Sequence, residues 1–188
     1  SVVSQLRPQC AERWGGSCMI RAQTECCALC RPGRCDNAYN VIRAFNLASM
    51  VVLDGVTIEG GEGAGDLVEH VMGAGIYSEN SHLSIHGCVL RRNAAWQGAA
   101  AYFHGGSATL SDTVVVENLA HGDAWPMVYG DESALEVVGC TFARNRGGSI
   151  YLHNGAHWIE GSWFVDNVAT GGSSGITVDF VAEAEVEG

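Results

Sequence analysis

Four tyrosines each precede an asparagine by the same 16 residues: Tyr77 and Asn93, Tyr102 and Asn118, Tyr129 and Asn145, Tyr151 and Asn167. From each asparagine to the next tyrosine the count changes, to 9, 11 and 6, and Thr177 follows Asn167 by 10. Phe45 and Gly61 stand in the same relation as an earlier, degenerate copy. A fixed segment followed by an elastic loop, at a period of 22 to 32 residues, is the signature of a solenoid.

Within the fixed segment apolar and polar residues alternate with period 2, so the units are strands rather than helices. Counting back from the asparagine, position −8 reads Leu53, Ile85, Leu110, Val137, Ile159, and position −3 reads Ile58, Leu90, Val115, Phe142, Phe164. Position −6 is Gly55, Gly87, Asp112, Gly139, Gly161, a column that suits a turn or left-handed backbone. Ile76, Ala101, Val128, Ile150 and Ile176 stand just before the tyrosines and Thr177. Each unit therefore reads as about three short strands with corners between them. Stacked units make three parallel sheets around an apolar bore, which is a parallel β-helix.

The sequences "FARN" followed by "RGGSI" and "FVDN" followed by "VATGGSSGI" resemble the FxxN and GGxI motifs of polymorphic outer-membrane-protein type repeats. The likeness spans residues of about 45 to 180 and recurs in register, weakening at "LRRN…QGAAA" and "VVEN…WPMV". It implies the right-handed, pectin-lyase-like class of parallel β-helix, here all-β with about five to six coils. That class includes lyases, glycosidases, adhesins and plain scaffolds, so the resemblance speaks to fold and leaves function open.

The N-terminal stretch differs in kind. Six of the eight cysteines, Cys10, Cys18, Cys26, Cys27, Cys30 and Cys35, fall before residue 36. A dense, even cluster reads as a disulfide-stapled cap, with the pairing open, and points to an extracytoplasmic compartment: secreted, cell-surface or organelle lumen. A zinc site of Cys27-x-x-Cys30 with Cys18 and Cys35 is the competing reading, disfavoured because the spacing fits no zinc pattern well. The expected organisation is a cysteine-rich cap over 1–40, the β-helix over 41–180 and an acidic tail over 181–188. Starting at Ser1, the chain reads as a processed or fragmentary form.

Charge limits the partners. Residues 1–46 carry six arginines and three acids, residues 47–188 four arginines and eighteen acids, and lysine is absent. An acidic body disfavours nucleic acid and anionic membranes and suits a basic or membrane-embedded protein partner. No apolar run approaches the roughly 20 residues of a membrane helix, so no transmembrane segment is expected.

Buried asparagines at a solenoid corner (93, 118, 145, 167) are expected to satisfy backbone groups rather than to bind ligands. Position −5 carries Val56, Cys88, Thr113, Cys140 and Ser162, all small and inward. Cys88 and Cys140 stand two coils apart, roughly 9–10 Å, too far for a disulfide, so two buried free thiols are expected.

Two outward columns carry alternating charge: Glu79, His104, Asp131, His153, Asp179, and Arg92, Glu117, Arg144, Asp166. Carboxylates with imidazoles suggest a metal strip or an acid–base array. The second column shows the same alternation with residues that do neither, so register-setting charge complementarity covers both. Carboxylates in alternate coils are also 9–10 Å apart, marginal for glycoside hydrolysis. Catalytic residues, metal and cofactor are accordingly not assigned, and an enzyme is disfavoured.

Two surfaces remain as binding candidates. Trp158 and Trp163 occupy outward positions near the end of the stack and mark a docking surface, unless the acidic tail, with Glu183, Glu185 and Glu187 alternating, covers them as one more strand. The alternative is a glycan- or metal-binding face of Tyr77, Tyr102, Tyr129 and Tyr151 beside Glu79, His104, Asp131, His153 and Asp179. The expected function is thus a non-enzymatic docking β-helix, a peripheral subunit of a larger assembly, and otherwise a carbohydrate-binding or carbohydrate-active module.

Overall fold

A computed structural model describes residues 38–64, 68–121, 125–179 and 183–187. The six cysteines assigned to the cap lie outside them. Strands run in coils of three sides, and every pairing between coils is parallel.

The first coil supplies β1 (Ile42–Phe45), β2 (Met50–Asp54) and β3 (Thr57–Glu59). A single helical turn, α1 (Val68–Val71), lies in the loop that follows. The second coil has β4 (Ile76–His86), β5 (Val89–Arg91) and β6 (Ala94–Ala95). The third has β7 (Ala101–Ser111), β8 (Val114–Val116) and β9 (Leu119–Ala120). The fourth has β10 (Pro126–Asp131), β11 (Ala134–Val138) and β12 (Thr141–Ala143). The fifth has β13 (Gly148–His153), β14 (Ala156–Glu160) and β15 (Trp163–Val165), and β16 (Ile176–Asp179) and β17 (Glu183–Glu187) begin a sixth.

One sheet combines the first two sides of every coil, and the third sides form a five-stranded sheet ordered β15-β12-β8-β5-β3. In β4 and β7 the first two sides are one bent strand of 11 residues. The expected tail is strand β17, paired with β14 from Ala156↔Glu183 to Glu160↔Glu187.

Three columns of left-handed residues mark the corners of the coils. The first column is Asn46, Asn80, Gly105, Glu132 and Asn154, with φ between 46° and 63°. The second is Gly55, Gly87, Asp112, Gly139 and Gly161, between 49° and 64°. The third is Gly60, Arg92, Glu117, Arg144 and Asp166, between 51° and 81°. Left-handed backbone is strained for residues with a Cβ, and apart from Glu132 the first two columns hold only Asn, Asp and Gly. Arg92, Glu117 and Arg144 are bulkier than the conformation prefers, so contacts between coils must hold them there.

The bore is filled by matched columns. Leu53, Ile85, Leu110, Val137 and Ile159 are register partners in succession, as are Ile58, Leu90, Val115, Phe142 and Phe164. Most of these side chains are buried, and Phe142 and Phe164 stack with centroids 5.0 Å apart. Burying a large aliphatic side chain contributes roughly 1.5–3 kcal/mol, so repeated columns of this kind carry most of the fold's stability.

One expected register is wrong. Phe45 pairs with Glu79, and Arg43 takes the place opposite Tyr77. Arg43 stands 18 residues before Gly61, where later tyrosines stand 16 before their asparagines, because Asn46 and Met50 are separated by Leu47, Ala48 and Ser49 while Asn80 and His82 are separated by Ser81 alone. Arg43 lies over the Tyr77 ring, its Cζ 5.5 Å from the centroid, so a cation continues the aromatic column.

Candidate functional site

The asparagine corner is a continuous amide ladder. Each side-chain oxygen accepts the backbone N–H of the preceding coil: Gly61 to Asn93 at 2.9 Å, Asn93 to Asn118 at 3.0 Å, Asn118 to Asn145 at 2.9 Å, and Asn145 to Asn167 at 3.0 Å. Each amide Nδ2 also donates to a carbonyl of the preceding coil, Ile58, Leu90, Val115 and Phe142 in turn. The ladder is fully engaged in holding the corner, as its sequence positions implied.

Position −5 works the same way on a smaller scale. The Cys88 thiol donates to the His86 carbonyl at 3.2 Å, the Thr113 hydroxyl to Ser111 at 2.9 Å, the Cys140 thiol to Val138 at 3.5 Å and the Ser162 hydroxyl to Glu160 at 3.1 Å. Each bridges the left-handed corner at position −6. Cys88 and Cys140 are free and buried, and burial pushes the Cys140 thiol up to about 11.

The first charged column has the expected register: Glu79, His104, Asp131, His153 and Asp179 face one another on adjacent strands. Its carboxylates are clasped by residues beside or before them. Asp131 receives the Tyr102 hydroxyl at 3.3 Å and the His104 Nδ1 at 3.0 Å. Asp179 receives the Tyr151 hydroxyl at 2.9 Å, with His153 Nδ1 at 4.0 Å. Tyr77 donates to Glu79 within its own coil at 2.8 Å. Among the described residues, no three His, Cys, Asp or Glu side chains are placed to share a metal ion.

The tyrosine rings stack on one another, centroids 5.7, 5.3 and 5.0 Å apart from Tyr77 to Tyr151. Tyr77 and Tyr102 are only 6% and 7% exposed. The preceding loops pass close over them: a Cβ on Gly73 would stand 2.8 Å from Tyr77 Cα, and one on Gly98 2.9 Å from Tyr102 Cβ. Burial first, and the Asp131 charge second, raise both Tyr102 and Tyr129, the latter to about 12. Most ring faces in this column are taken up by neighbouring rings, which leaves edges rather than a flat platform for a sugar.

In the second charged column Arg92, Glu117 and Arg144 form a chain of exposed ion pairs that does not extend to Asp166. Glu59 receives Arg91 at 2.7 Å and Arg92 at 3.2 Å, and Glu117 receives Arg92 at 3.2 Å and Arg144 at 3.3 Å. Hydrogen bonds from Arg91 hold Glu59, and those from Arg92 and Arg144 hold Glu117, below the usual carboxylate range. Glu59 and Arg91 join this column from the adjacent strand, which column counting did not show.

The two tryptophans part company. Trp163, on edge strand β15, is 69% exposed. Trp158 is half-buried on β14, in register between Glu136 of β11 and Glu185 of β17, and its indole N–H donates to Glu160 at 3.3 Å. It lines a depression of about 360 Å³ with Ser107, Thr109, Ala134, Glu136, Ala156 and Glu185. Glu136, Thr109 and the small residues were missed from sequence. The signal was present as positions −9 (Thr109, Glu136, Trp158) and −11 (Ser107, Ala134, Ala156) before each asparagine, the outward neighbours of an inward column that was read.

No curated protein and no solved structure matches the chain. The family model for a right-handed β-helix region matches residues 35–182, in agreement with the parallel coils, the three corner columns and the continuous amide ladder. The chain belongs to the right-handed β-helix family.

Proposed function

We propose that this β-helix is a non-enzymatic docking module, a peripheral subunit of a larger extracytoplasmic assembly. The observation that carries this is apolar exposure on the last coils. Trp163 is 69% exposed, and Val165, Val168, Val178 and Val186 are exposed with it. Large exposed apolar groups mark association surfaces. Supporting it, the acids of the tyrosine face are engaged by tyrosine and histidine, so no pair of carboxylates there stands ready as acid and base. The N-terminal cysteine cluster supports the extracytoplasmic reading. No helix among the described residues is long and apolar enough to cross a membrane, which is consistent with attachment through a partner.

Native mass spectrometry of the complex after mild cross-linking tests the reading. A protein partner is expected that is lost on Trp163→Ala while the melting temperature holds. A monomer that binds glycans through Tyr129 or Tyr151 instead would favour the carbohydrate reading and overturn this one.

A further inference from the structure

We propose that the trough beside Trp158 is a slot for an arginine side chain, presented on a short extended segment of a basic protein partner. The proposal rests on the docking reading and names the chemistry its partner must bring.

The shape comes from three small residues. Ser107 and Ala134 are register partners on β7 and β11, Ala156 stands just before the Leu135↔His157 pair on β14, and all three line the trough. Before them in the same column stands His82, whose Nδ1 lies 2.8 Å from Ser107 Oγ, so the trough begins where the larger side chain ends. Glu183 is the next register partner beyond Ala156. With strands about 4.8 Å apart, three coils span roughly 10–14 Å, room for three or four extended residues.

The wall supplies the recognition. Thr109, Glu136, Trp158 and Glu185 are successive register partners on one outward column. The indole therefore has a carboxylate in the coil on either side, and a third carboxylate, Glu160, on its N–H. At the other charged corner Glu59 and Glu117 each sit between two arginines. On this face Glu136, Glu160, Glu185 and Glu187 have no cationic partner among the described residues. Glu136 and Glu185 line a depression of about 360 Å³ on either side of the indole, and Glu160 accepts the indole N–H. These carboxylates are exposed, and among the described residues Glu136 accepts only the Thr109 hydroxyl at 3.3 Å, so an incoming cation meets unpaired negative charge on both sides of the indole.

A guanidinium satisfies every part of this arrangement. It is planar, stacks on an indole face, and presents donors to two carboxylates at once. An ammonium offers the charge without the plane. A neutral sugar would stack on the ring but leave the carboxylates uncompensated.

The full chain is titrated with a labelled, capped peptide of alternating valine and arginine, followed by anisotropy, alongside lysine and glutamate versions of the same peptide. The arginine peptide is expected to bind, the lysine version about tenfold more weakly, and the glutamate version not at all. Trp158→Ala and Glu136→Gln should each weaken binding about tenfold, and Trp158→Phe should restore part of it. Equal binding of arginine and lysine peptides, indifference to Trp158→Ala, no arginine-peptide binding, or displacement by a neutral oligosaccharide would each overturn the proposal. A native partner lost on Trp163→Ala but a slot indifferent to arginine would leave the docking reading standing and remove this one.

Discussion

Asn145 Oδ1 accepts two hydrogen bonds from Asn118, one from its backbone N–H at 2.9 Å and one from its Nδ2 at 3.1 Å. Asn118 Nδ2 also donates to the Leu90 carbonyl at 2.9 Å, so this amide pair ties three coils together. Both residues are almost wholly buried. Asn118→Ala or Asn145→Ala strands buried backbone groups and should destabilise the protein by about 1–3 kcal/mol without affecting ligand binding. Urea denaturation curves that superpose on the parent would refute this.

Arg144 separates backbone strain from ion pairing. Its φ is 51°, and its guanidinium reaches Glu117 at 3.3 Å on an exposed surface. An exposed pair contributes little, whereas a left-handed residue with a Cβ is strained by about 1–2 kcal/mol. Arg144→Gly should therefore be more stable than Arg144→Ala by about 1 kcal/mol, although both lose the same ion pair. Chemical denaturation of the two variants side by side checks the order.

Cys88 and Cys140 should resist alkylation in the folded protein. Both are buried and donate to carbonyls across a corner, and burial holds the Cys140 thiol at about 11, leaving little thiolate at pH 8. Iodoacetamide labelling read by peptide mass spectrometry should find both sites protected until denaturant is added. Labelling of either within minutes in the native state contradicts this.

His157 should make the protein acid-labile. It points into the bore at a column otherwise held by Val51, Leu83, Ala108 and Leu135, and is 5% exposed. Its Nε2 donates to the Asn154 carbonyl at 3.2 Å. Burial pushes its pKa below the ordinary 6.5. The unfolded chain then takes up the proton first, so stability is full above about pH 6.5 and declines as pH falls from there toward the folded value. His157→Leu should flatten the fall in urea midpoint between pH 7.5 and 5. An unchanged slope would show that other groups set it.

From Tyr77 onward the repeat was legible in the sequence. The constant distance from Tyr102 to Asn118 and from Tyr129 to Asn145 places every inward residue of those coils, because backbone hydrogen bonds lock adjacent parallel strands into one register. From that register the sequence determined the bore columns, the asparagine ladder and the two free thiols. Only the tertiary structure showed that Arg43 rather than Phe45 heads the tyrosine column, since two extra residues at a corner shift the first strand without disturbing its pattern. Only the tertiary structure showed that Arg92, Glu117 and Arg144 are left-handed, because side-chain type is a weak guide once neighbouring coils fix the backbone. The trough beside Trp158 was decided there too. Three small side chains make a hollow only when their strands lie about 4.8 Å apart and the last strand, β17, brings Glu185 to the indole.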